Sequence, residues 1–216
     1  MGNLTSTINK CAISVNKIPI IERLVNSLNF LDINDIYVVV GYKSDQIKKI
    51  LKNKVHYLYN NDFEKTGILD SIAKAKNKLS GKELIIMTGD SIMHEDIIKS
   101  IIDEKGDVVV SIEKKLCDIE DVKALIVNNK FEKISKNLDT KIASGEFTGL
   151  VKFNPECSKV FFNIIDQKKI ENKLIADVVM NLKDKDYFVK PVYTKGLPRI
   201  EVDFDFDLEY AIENFK

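Results

Sequence analysis

The sequence predicts an α/β fold built on a mixed, mainly parallel sheet, and three observations lead to that prediction. Runs of apolar residues, such as residues 84–87, are typical of strands buried on both faces. These runs alternate with amphipathic helical segments up to residue 112, an order that requires crossover connections between parallel strands. After residue 112 three strand-like segments follow one another with short turns, which indicates a mixed sheet in the second half.

Local patterns define the elements of the first half in order. Residues 19–31 form a helix with one apolar face, which consists of Ile20, Ile21, Leu24, Val25, Leu28 and Leu31. Residues 36–40 form a buried strand closed by Gly41, and Ser44 is expected to cap a helix that runs to about Leu51. The remaining elements are a strand at 56–59, a helix at 69–79, a strand at 84–88, a helix at 96–103 and a strand at 108–112.

The second half is expected to continue as part of the same domain. Its first strands lie at 122–127, 131–135 and 147–153, with turns at Asn128 and Asn129 and near Gly145. Helices at about 155–166 and 174–182, strands at 188–193 and 199–203, and a last helix to Phe215 follow. No repeat, low-complexity tract or flexible linker interrupts the chain, so residues 1–216 are predicted to form a single domain.

Composition narrows the function classes. Lys plus Arg equals Asp plus Glu, 33 each, so nothing favours bulk nucleic acid or an anionic membrane as a partner. No apolar run reaches the ~18 residues that span a bilayer, and the polar N-terminus does not have the pattern of a signal peptide. The three cysteines Cys11, Cys117 and Cys157 are scattered and odd in number. This pattern argues against disulfides and zinc and favours a cytoplasmic protein.

Acidic residues mark the candidate site. Asp90 follows Gly89 at the carboxyl end of the buried strand, where open α/β sheets bind ligands. A second group comes near the C-terminus and contains Glu201, Asp203, Asp205 and Asp207. Aspartates brought together at that edge would suit Mg²⁺ and a nucleotide phosphate. The alternatives are that Asp90 only forms a turn, and that the C-terminal acids are a solvated face and a helix N-terminus.

Five segments in order carry a resemblance to a known family. Residues 10–22, KCAISVNKIPIIE, are similar to the segment PKxLxxVNxKPxIE, and residues 33–42, INDIYVVVGY, to a second strand. Gly89-Asp90 matches a metal-binding aspartate, 145–153 a strand at the acceptor pocket, and 196–211 the closing acidic segment. The chain thus resembles the nucleotidyltransferases that activate phosphosugars and phosphorylated small alcohols, especially the phosphocholine-type cytidylyltransferases. The resemblance implies a Rossmann-like sheet of the nucleotide-diphospho-sugar transferase type.

The resemblance also implies roles for individual residues. Lys10, Asp90 and Asp203 are expected to carry catalysis, with Mg²⁺ held by Asp90, Asp203 and Glu201. Contacts to the nucleotide are expected from Gly2, Ser71 and Gly89, and contacts to the acceptor from Lys136, Glu146, Thr148 and Gly149. The simpler alternatives are a helix-facing hydroxyl for Ser71, a solvated strand residue for Glu146 and a surface lysine for Lys136.

The predicted activity is the Mg²⁺-dependent transfer of a nucleoside monophosphate from a nucleoside triphosphate to a small phosphorylated acceptor, with release of pyrophosphate. CTP and a phospho- or phosphono-alcohol are the first choice. Residues 66–68, Thr-Gly-Ile, replace the family's asparagine-rich segment near the base, so the base stays open. A sugar-1-phosphate acceptor with UTP, dTTP or GTP is one alternative, and a non-catalytic nucleotide-binding relative is another.

The N-terminus departs from the family pattern. Relatives begin with an apolar strand and a loop of the form GxGxRL, whereas this sequence begins Met1-Gly2-Asn3-Leu4-Thr5. The domain is therefore expected to be N-terminally incomplete, either because the true start lies upstream or because the chain is a degenerate relative. The paired carboxylates favour the first explanation. A strand from a second copy could fill the place of the missing one, which would produce a homodimer.

Overall fold

The computed structural model describes residues 7–167 and 174–215. Its helices are α1 (Ile20–Phe30), α2 (Ser44–Leu51), α3 (Ile68–Ala73), α4 (Lys76–Leu79), α5 (Glu95–Asp103), α6 (Pro155–Asp166), α7 (Ile175–Lys183) and α8 (Asp205–Asn214), with 3₁₀ turns at Lys10–Ala12 and Thr140–Ile142. Its strands are β1 (Ser14–Val15), β2 (Ile18–Pro19), β3 (Tyr37–Val40), β4 (His56–Tyr59), β5 (Leu84–Ile86), β6 (Ser91–Met93), β7 (Val108–Glu113), β8 (Lys123–Val127), β9 (Lys130–Ser135), β10 (Gly145–Phe153), β11 (Val189–Tyr193) and β12 (Arg199–Glu201).

The chain divides into two compact units. The first unit combines residues 1–65, 88–98 and 197–216, and the second unit combines residues 66–87 and 99–196. The first unit is thus assembled from three separate stretches of sequence. The prediction of a single domain over residues 1–216 stays a prediction.

The first unit contains three short strand pairs. β3 and β4 run parallel, as expected for two strands joined by a crossover helix. β1 and β2 form a hairpin whose turn residues Asn16 and Lys17 both have positive φ, the conformation of the tight hairpin turns that match strand twist. β6 and β12 pair antiparallel. An apolar core cluster with members in β1, β6, α1 and α8 includes the buried residues Ile13, Val15, Ile20, Ile92, Val202, Ala211 and Phe215.

The second unit is built on one mixed sheet. Its strand order is β11-β7-β10-β8-β9, with β5 also paired to β10. β11 and β7 are parallel, whereas β10 is antiparallel to β5, β7 and β8. The ladder between β10 and β7 shifts register between Phe147 and Val151, and Gly149 has a φ of +81° within that irregularity. A residue with a side chain would be strained at Gly149, so the glycine is what the irregularity requires.

The α/β class and the mixture of parallel and antiparallel strands are confirmed, and three local predictions were wrong. Ser44 does not cap α2, because the cap position is Lys43 in a left-handed conformation and Ser44 is already helical. The helix expected at 69–79 is divided into α3 and α4. The strand expected at 84–88 ends at Ile86, and β6 follows it as a separate strand.

The helices that the structure describes include none that is both long and apolar enough to cross a membrane.

Candidate active site

Antiparallel pairing of β6 with β12 brings the acidic residues of the first unit together. Ser91 lies opposite Glu201 in this ladder, and the backbone N–H of Val202 donates to the carbonyl oxygen of Asp90 at 3.2 Å. Asp90 therefore lies beside the end of β12, where Glu201 and Asp203 emerge. One carboxylate oxygen from each of Asp90, Glu201 and Asp203 lies within 4.8 Å of the other two. We call these three residues the carboxylate cluster.

Asp207 fixes the backbone next to Asp203. Its buried carboxylate accepts hydrogen bonds from the backbone N–H groups of Asp203 at 2.9 Å and Phe204 at 2.7 Å. It thereby satisfies N–H groups at the start of α8, which would otherwise lack helical partners. Of the four acidic residues near the C-terminus, Glu201 and Asp203 thus join the cluster, whereas Asp207 caps a helix and Asp205 is exposed in its first turn.

Lys10 connects two members of the carboxylate cluster. Its Nζ lies 2.8 Å from Oδ2 of Asp90 and also donates to Oδ1 of Asp203. Burial by itself would lower the pKa of Lys10, but the hydrogen bonds to Asp203 and Asp90 outweigh burial and raise that pKa above its ordinary value. Lys10 is therefore a cation throughout the physiological pH range.

The third member of the cluster, Glu201, has a raised pKa. Burial, followed by the negative charges of Asp90 and Asp203, raises the pKa of Glu201 to about 7. Three carboxylates in so small a volume repel one another, and a cation offsets that repulsion. The donor set consists of carboxylate oxygens without sulfur or imidazole, which is the set that Mg²⁺ prefers. The residues present therefore fit Mg²⁺, the metal that the resemblance to nucleotidyltransferases implies.

Lys10 lies on a short 3₁₀ turn, and hydrogen bonds of the preceding residue, Asn9, hold this turn in place. Asn9 precedes this turn, and its Oδ1 accepts a hydrogen bond from the backbone N–H of Cys11 at 3.0 Å. The backbone N–H of Asn9 donates to Oε1 of Gln46 at 2.7 Å, and its Nδ2 donates to the carbonyl oxygen of Tyr42, also at 2.7 Å. The Lys10 turn is thus attached to α2 and to the loop before it.

Gly89 allows the Lys10 turn to pack closely against the loop that carries Asp90. A Cβ atom at position 89 would lie 3.2 Å from Sγ of Cys11 and 3.5 Å from Cδ1 of Ile21. Burial, followed by the charge of Asp90, raises the pKa of Cys11 to about 12, so the thiol stays protonated. The observed role of Gly89 is this close packing, and the contact to nucleotide stays a prediction.

The residues predicted to contact the acceptor all lie in the second unit. Lys136 is exposed, forms a 2.8 Å ion pair with Glu120, and lines a cavity of about 550 Å³. Glu146 forms an ion pair of 3.3 Å with Lys115. Thr148 is buried, and its Oγ1 accepts from the backbone N–H of Leu150 at 3.5 Å, while Gly149 lies at the irregularity of β10.

The other two residues predicted to contact the nucleotide are Ser71 and Gly2. The hydroxyl of Ser71 donates to the carbonyl oxygen of Gly67 at 3.4 Å, one turn earlier in the helix, as in the helix-facing alternative. Gly2 lies outside the described residues.

The sequence did not identify the residues that keep the site's segments in place without belonging to the site themselves. Asn9 and Gln46 position the Lys10 turn. Asn16 ties the hairpin turn of the first unit to the end of α8, because its Nδ2 donates to the carbonyl oxygens of Ile212 at 2.8 Å and Phe215 at 3.0 Å. Asn9 alone had a local signal, since asparagine before a helical turn is a typical N-cap. The partners of Gln46 and Asn16 are too distant in sequence for a local pattern to predict.

Comparison with known proteins identifies the family. Residues 1–118 match the MobA-like NTP transferase domain. The chain is 27% identical to CTP:phosphoglutamine cytidylyltransferase of Campylobacter jejuni, over 97% of this chain and 93% of that protein.

Solved structures show the same fold. The inositol-1-phosphate CTP transferase from T. maritima matches this chain with a TM-score of 0.81 at 17% identity. The match covers 100% of this chain and 91% of the chain of that structure. A putative glucose-1-phosphate thymidylyltransferase from Bacillus anthracis matches with a TM-score of 0.79 at 21% identity. This match covers 99% of this chain and 89% of the chain of that structure. The fold is therefore that of the nucleotidyltransferases, as the sequence predicted. Since the family match extends over more than half of the sequence, the chain belongs to the MobA-like NTP transferase family.

Proposed function

We propose that this chain transfers a nucleoside monophosphate from a nucleoside triphosphate to the phosphate of a small acceptor in a Mg²⁺-dependent reaction. The observation that carries the proposal is the carboxylate cluster with Lys10 bonded to two of its members. CTP is the preferred donor. Supporting this choice, the relative from C. jejuni is named for CTP and phosphoglutamine, and the structural neighbour from T. maritima for CTP and inositol-1-phosphate.

The reaction requires positioning and charge neutralisation more than covalent help from the protein. An oxygen of the acceptor phosphate attacks the α-phosphorus of CTP, and the bond from that phosphorus to the oxygen bridging to the β-phosphorus breaks. Pyrophosphate leaves with the electron pair of that bond. Both reactants are anions that repel each other, so an enzyme accelerates the step by aligning them and by opposing their charge.

Lys10 and the carboxylate cluster match these two requirements. Asp90, Asp203 and Glu201 would hold Mg²⁺, which when bound supplies positive charge to the phosphate oxygens as a Lewis acid. Lys10 is cationic throughout the physiological pH range, and its hydrogen bonds to Asp90 and Asp203 direct the ammonium to the same place. We assign to Lys10 the stabilisation of charge that develops on the transferring phosphates.

Acceptor recognition is assigned to the second unit. Lys136 would contact the acceptor phosphate, and the cavity that it lines supports this role. Thr148 and Gly149 would border the acceptor. Glu146 would face an acceptor ammonium only in competition with Lys115, with which it is paired. Contacts to the nucleotide are proposed for Gly2, Ser71 and Gly89 from the family pattern alone.

A panel of substrates tests the proposal. CTP, UTP, dTTP and GTP would each be combined with phosphocholine, aminoethylphosphonate, phosphoglutamine, inositol-1-phosphate and glucose-1-phosphate, and pyrophosphate release measured with Mg²⁺ and with excess EDTA. We expect Mg²⁺-dependent release with CTP and a small non-hexose acceptor. Turnover confined to glucose-1-phosphate would favour the sugar-phosphate alternative, which the neighbour named as a thymidylyltransferase supports. Nucleotide binding without release from any pair would favour a non-catalytic relative.

A further inference from the structure

We propose that Gln46 of α2 is a positioning residue for Lys10 and acts through Asn9. This inference rests on the proposed function, because it assumes that Lys10 acts on the phosphates. It adds a residue whose side-chain hydrogen bonds go to the backbone of Asn9 and Thr7, and that lies on a different element of the first unit.

The side-chain amide of Gln46 holds the backbone on both sides of residue 8. Its Oε1 accepts from the backbone N–H of Asn9 at 2.7 Å, while its Nε2 donates to the carbonyl oxygen of Thr7 at 3.1 Å. One amide group is thus a donor to one residue and an acceptor from another, which fixes both its own orientation and the path of the chain. A hydrophobic side chain of the same size at position 46 would lose both bonds.

Asn9 transmits this constraint to Lys10. Its Oδ1 accepts from the backbone N–H of Cys11 at 3.0 Å, and its carbonyl oxygen accepts from the backbone N–H of Ala12 at 2.8 Å. These bonds enclose Lys10 within the 3₁₀ turn and so fix its Cα atom. Asp90 and Asp203 fix the other end of the side chain, at Nζ. A lysine has several freely rotating bonds, so anchoring both ends removes most of the conformational freedom that the ammonium would otherwise have.

Gln46 can be changed without loss of the packing of α2. The apolar face of this helix is formed by Ile47 and Leu51, whose side chains are 3% and 0% exposed, and Gln46 is not part of that face. A change at Gln46 should therefore affect the Lys10 turn more than the stability of the first unit. Lys49 is exposed on the same helix and provides a matched control.

The experiment compares Gln46→Met, Gln46→Glu and the control Lys49→Met by steady-state pyrophosphate release and by thermal melting. We expect Gln46→Met to lower kcat by roughly tenfold, as loss of orientation at a charged group can. The KM for CTP and the melting temperature should stay close to those of the parent protein. Gln46→Glu keeps an acceptor for Asn9 but loses the donor to Thr7, so its kcat should be intermediate. Lys49→Met should match the parent protein.

A double-mutant cycle with Lys10→Ala separates positioning from a general structural role. If Gln46 acts through Lys10, Gln46→Met should change kcat by less than about twofold once Lys10 is alanine, since nothing remains to be positioned. Equal effects of Gln46→Met in both backgrounds, or an unchanged kcat in the single variant, would overturn the inference but leave the proposed function standing. An unchanged kcat in Lys10→Ala itself would refute both the inference and the role of Lys10 in the proposed function.

Discussion

Glu201 links the stability of the protein to pH. Burial and the charges of Asp90 and Asp203 raise its pKa to about 7 in the folded chain, well above the value of an ordinary glutamate. Between the ordinary pKa and pH 7 the folded state therefore binds more protons than the unfolded state. The contribution of Glu201 to the free energy of unfolding of the metal-free protein therefore falls as pH rises through this window.

We expect Glu201→Gln to remove this pH dependence, because the amide cannot ionise. Urea unfolding with EDTA at pH 4.5 to 8 should show a parent protein that loses stability relative to Glu201→Gln as pH rises. Glu209→Gln is the matched control, since Glu209 is exposed on α8. Parallel pH profiles for the parent protein and Glu201→Gln would show that Glu201 ionises normally.

Lys10 has two effects of opposite sign, because its ammonium competes with a metal ion for Asp90 and Asp203. We expect Lys10→Ala to lower turnover by roughly 10²-fold, as loss of a focused electrostatic contact can. Without nucleotide, the same change should tighten the binding of Mn²⁺, a spectroscopic substitute for Mg²⁺, by about threefold or more. Electron paramagnetic resonance of free Mn²⁺ measures the second effect. Weaker Mn²⁺ binding in the variant would contradict the competition.

The four residues of the candidate site lie in short motifs that are recognisable in the sequence, and the structure brings their side chains together, while their roles stay predictions. Asp90 follows a glycine shortly after the apolar run 84–87, and Glu201 and Asp203 are two apart in an acidic segment near the C-terminus. Gln46 could not be predicted, because glutamine on a helix has many possible roles. Its partners Thr7 and Asn9 are defined only by the folded backbone.

At the scale of elements, a helix cap determines where Asp203 lies. The buried carboxylate of Asp207 accepts from the backbone N–H groups of Asp203 and Phe204. We expect Asp207→Ala to destabilise the protein by about 1–3 kcal/mol, because two backbone N–H groups lose a charged, buried acceptor. It should also weaken Mg²⁺ binding, because the backbone of Asp203 is released.

Chemical unfolding and Mg²⁺ titration measure the two effects of Asp207→Ala. Asp205→Ala is the control, because Asp205 is exposed in the first turn of the same helix. Equal losses of stability in the two variants would mean that general charge at the helix N-terminus, rather than the bonds of Asp207, stabilises α8.

Elements with a long apolar pattern were easier to predict than short ones. The predicted apolar face of α1 is buried in the structure except for Leu31, which lies just beyond the end of the helix and is half-buried. β6 was missed because three residues are too few to show a period and its partner β12 lies far along the chain. This missed pair is also the one that brings Asp90 to Glu201, so the sequence grouped these acidic residues without indicating the strand pairing that holds them together.

At the scale of the whole molecule, alternation of strands and helices was enough to predict the class of fold. The division into two units was not predicted, because it depends on contacts between distant stretches of the chain. The first unit illustrates the point: Lys10, Asp90 and Asp203 come from its three separate stretches. Their mutual contacts close long loops of chain, which is costly in entropy and invisible to local patterns.

Because the residues of the candidate site come from distant stretches of the chain, a metal ion bound there should stabilise the folded protein. A cation held by carboxylates from two distant stretches binds the folded state far better than the unfolded chain, so Mg²⁺ should raise the free energy of unfolding. By mass action the gain is about 2.7 kcal/mol when Mg²⁺ is present at 100 times its dissociation constant. Asp90→Asn and Asp203→Asn each remove one anionic ligand while they keep the shape of the side chain. Each should therefore lose most of this gain together with most of the turnover.

Melting curves with Mg²⁺ and with EDTA, measured beside pyrophosphate release, test the two effects together. Asp205→Asn is the control, because it removes one acidic charge from an exposed position two residues after Asp203. If Asp90→Asn and Asp203→Asn kept the full Mg²⁺-dependent rise in melting temperature, the metal would bind elsewhere. If they lost that rise but kept native turnover, the carboxylate cluster would be a structural metal site, and the chemistry would have to lie with other residues.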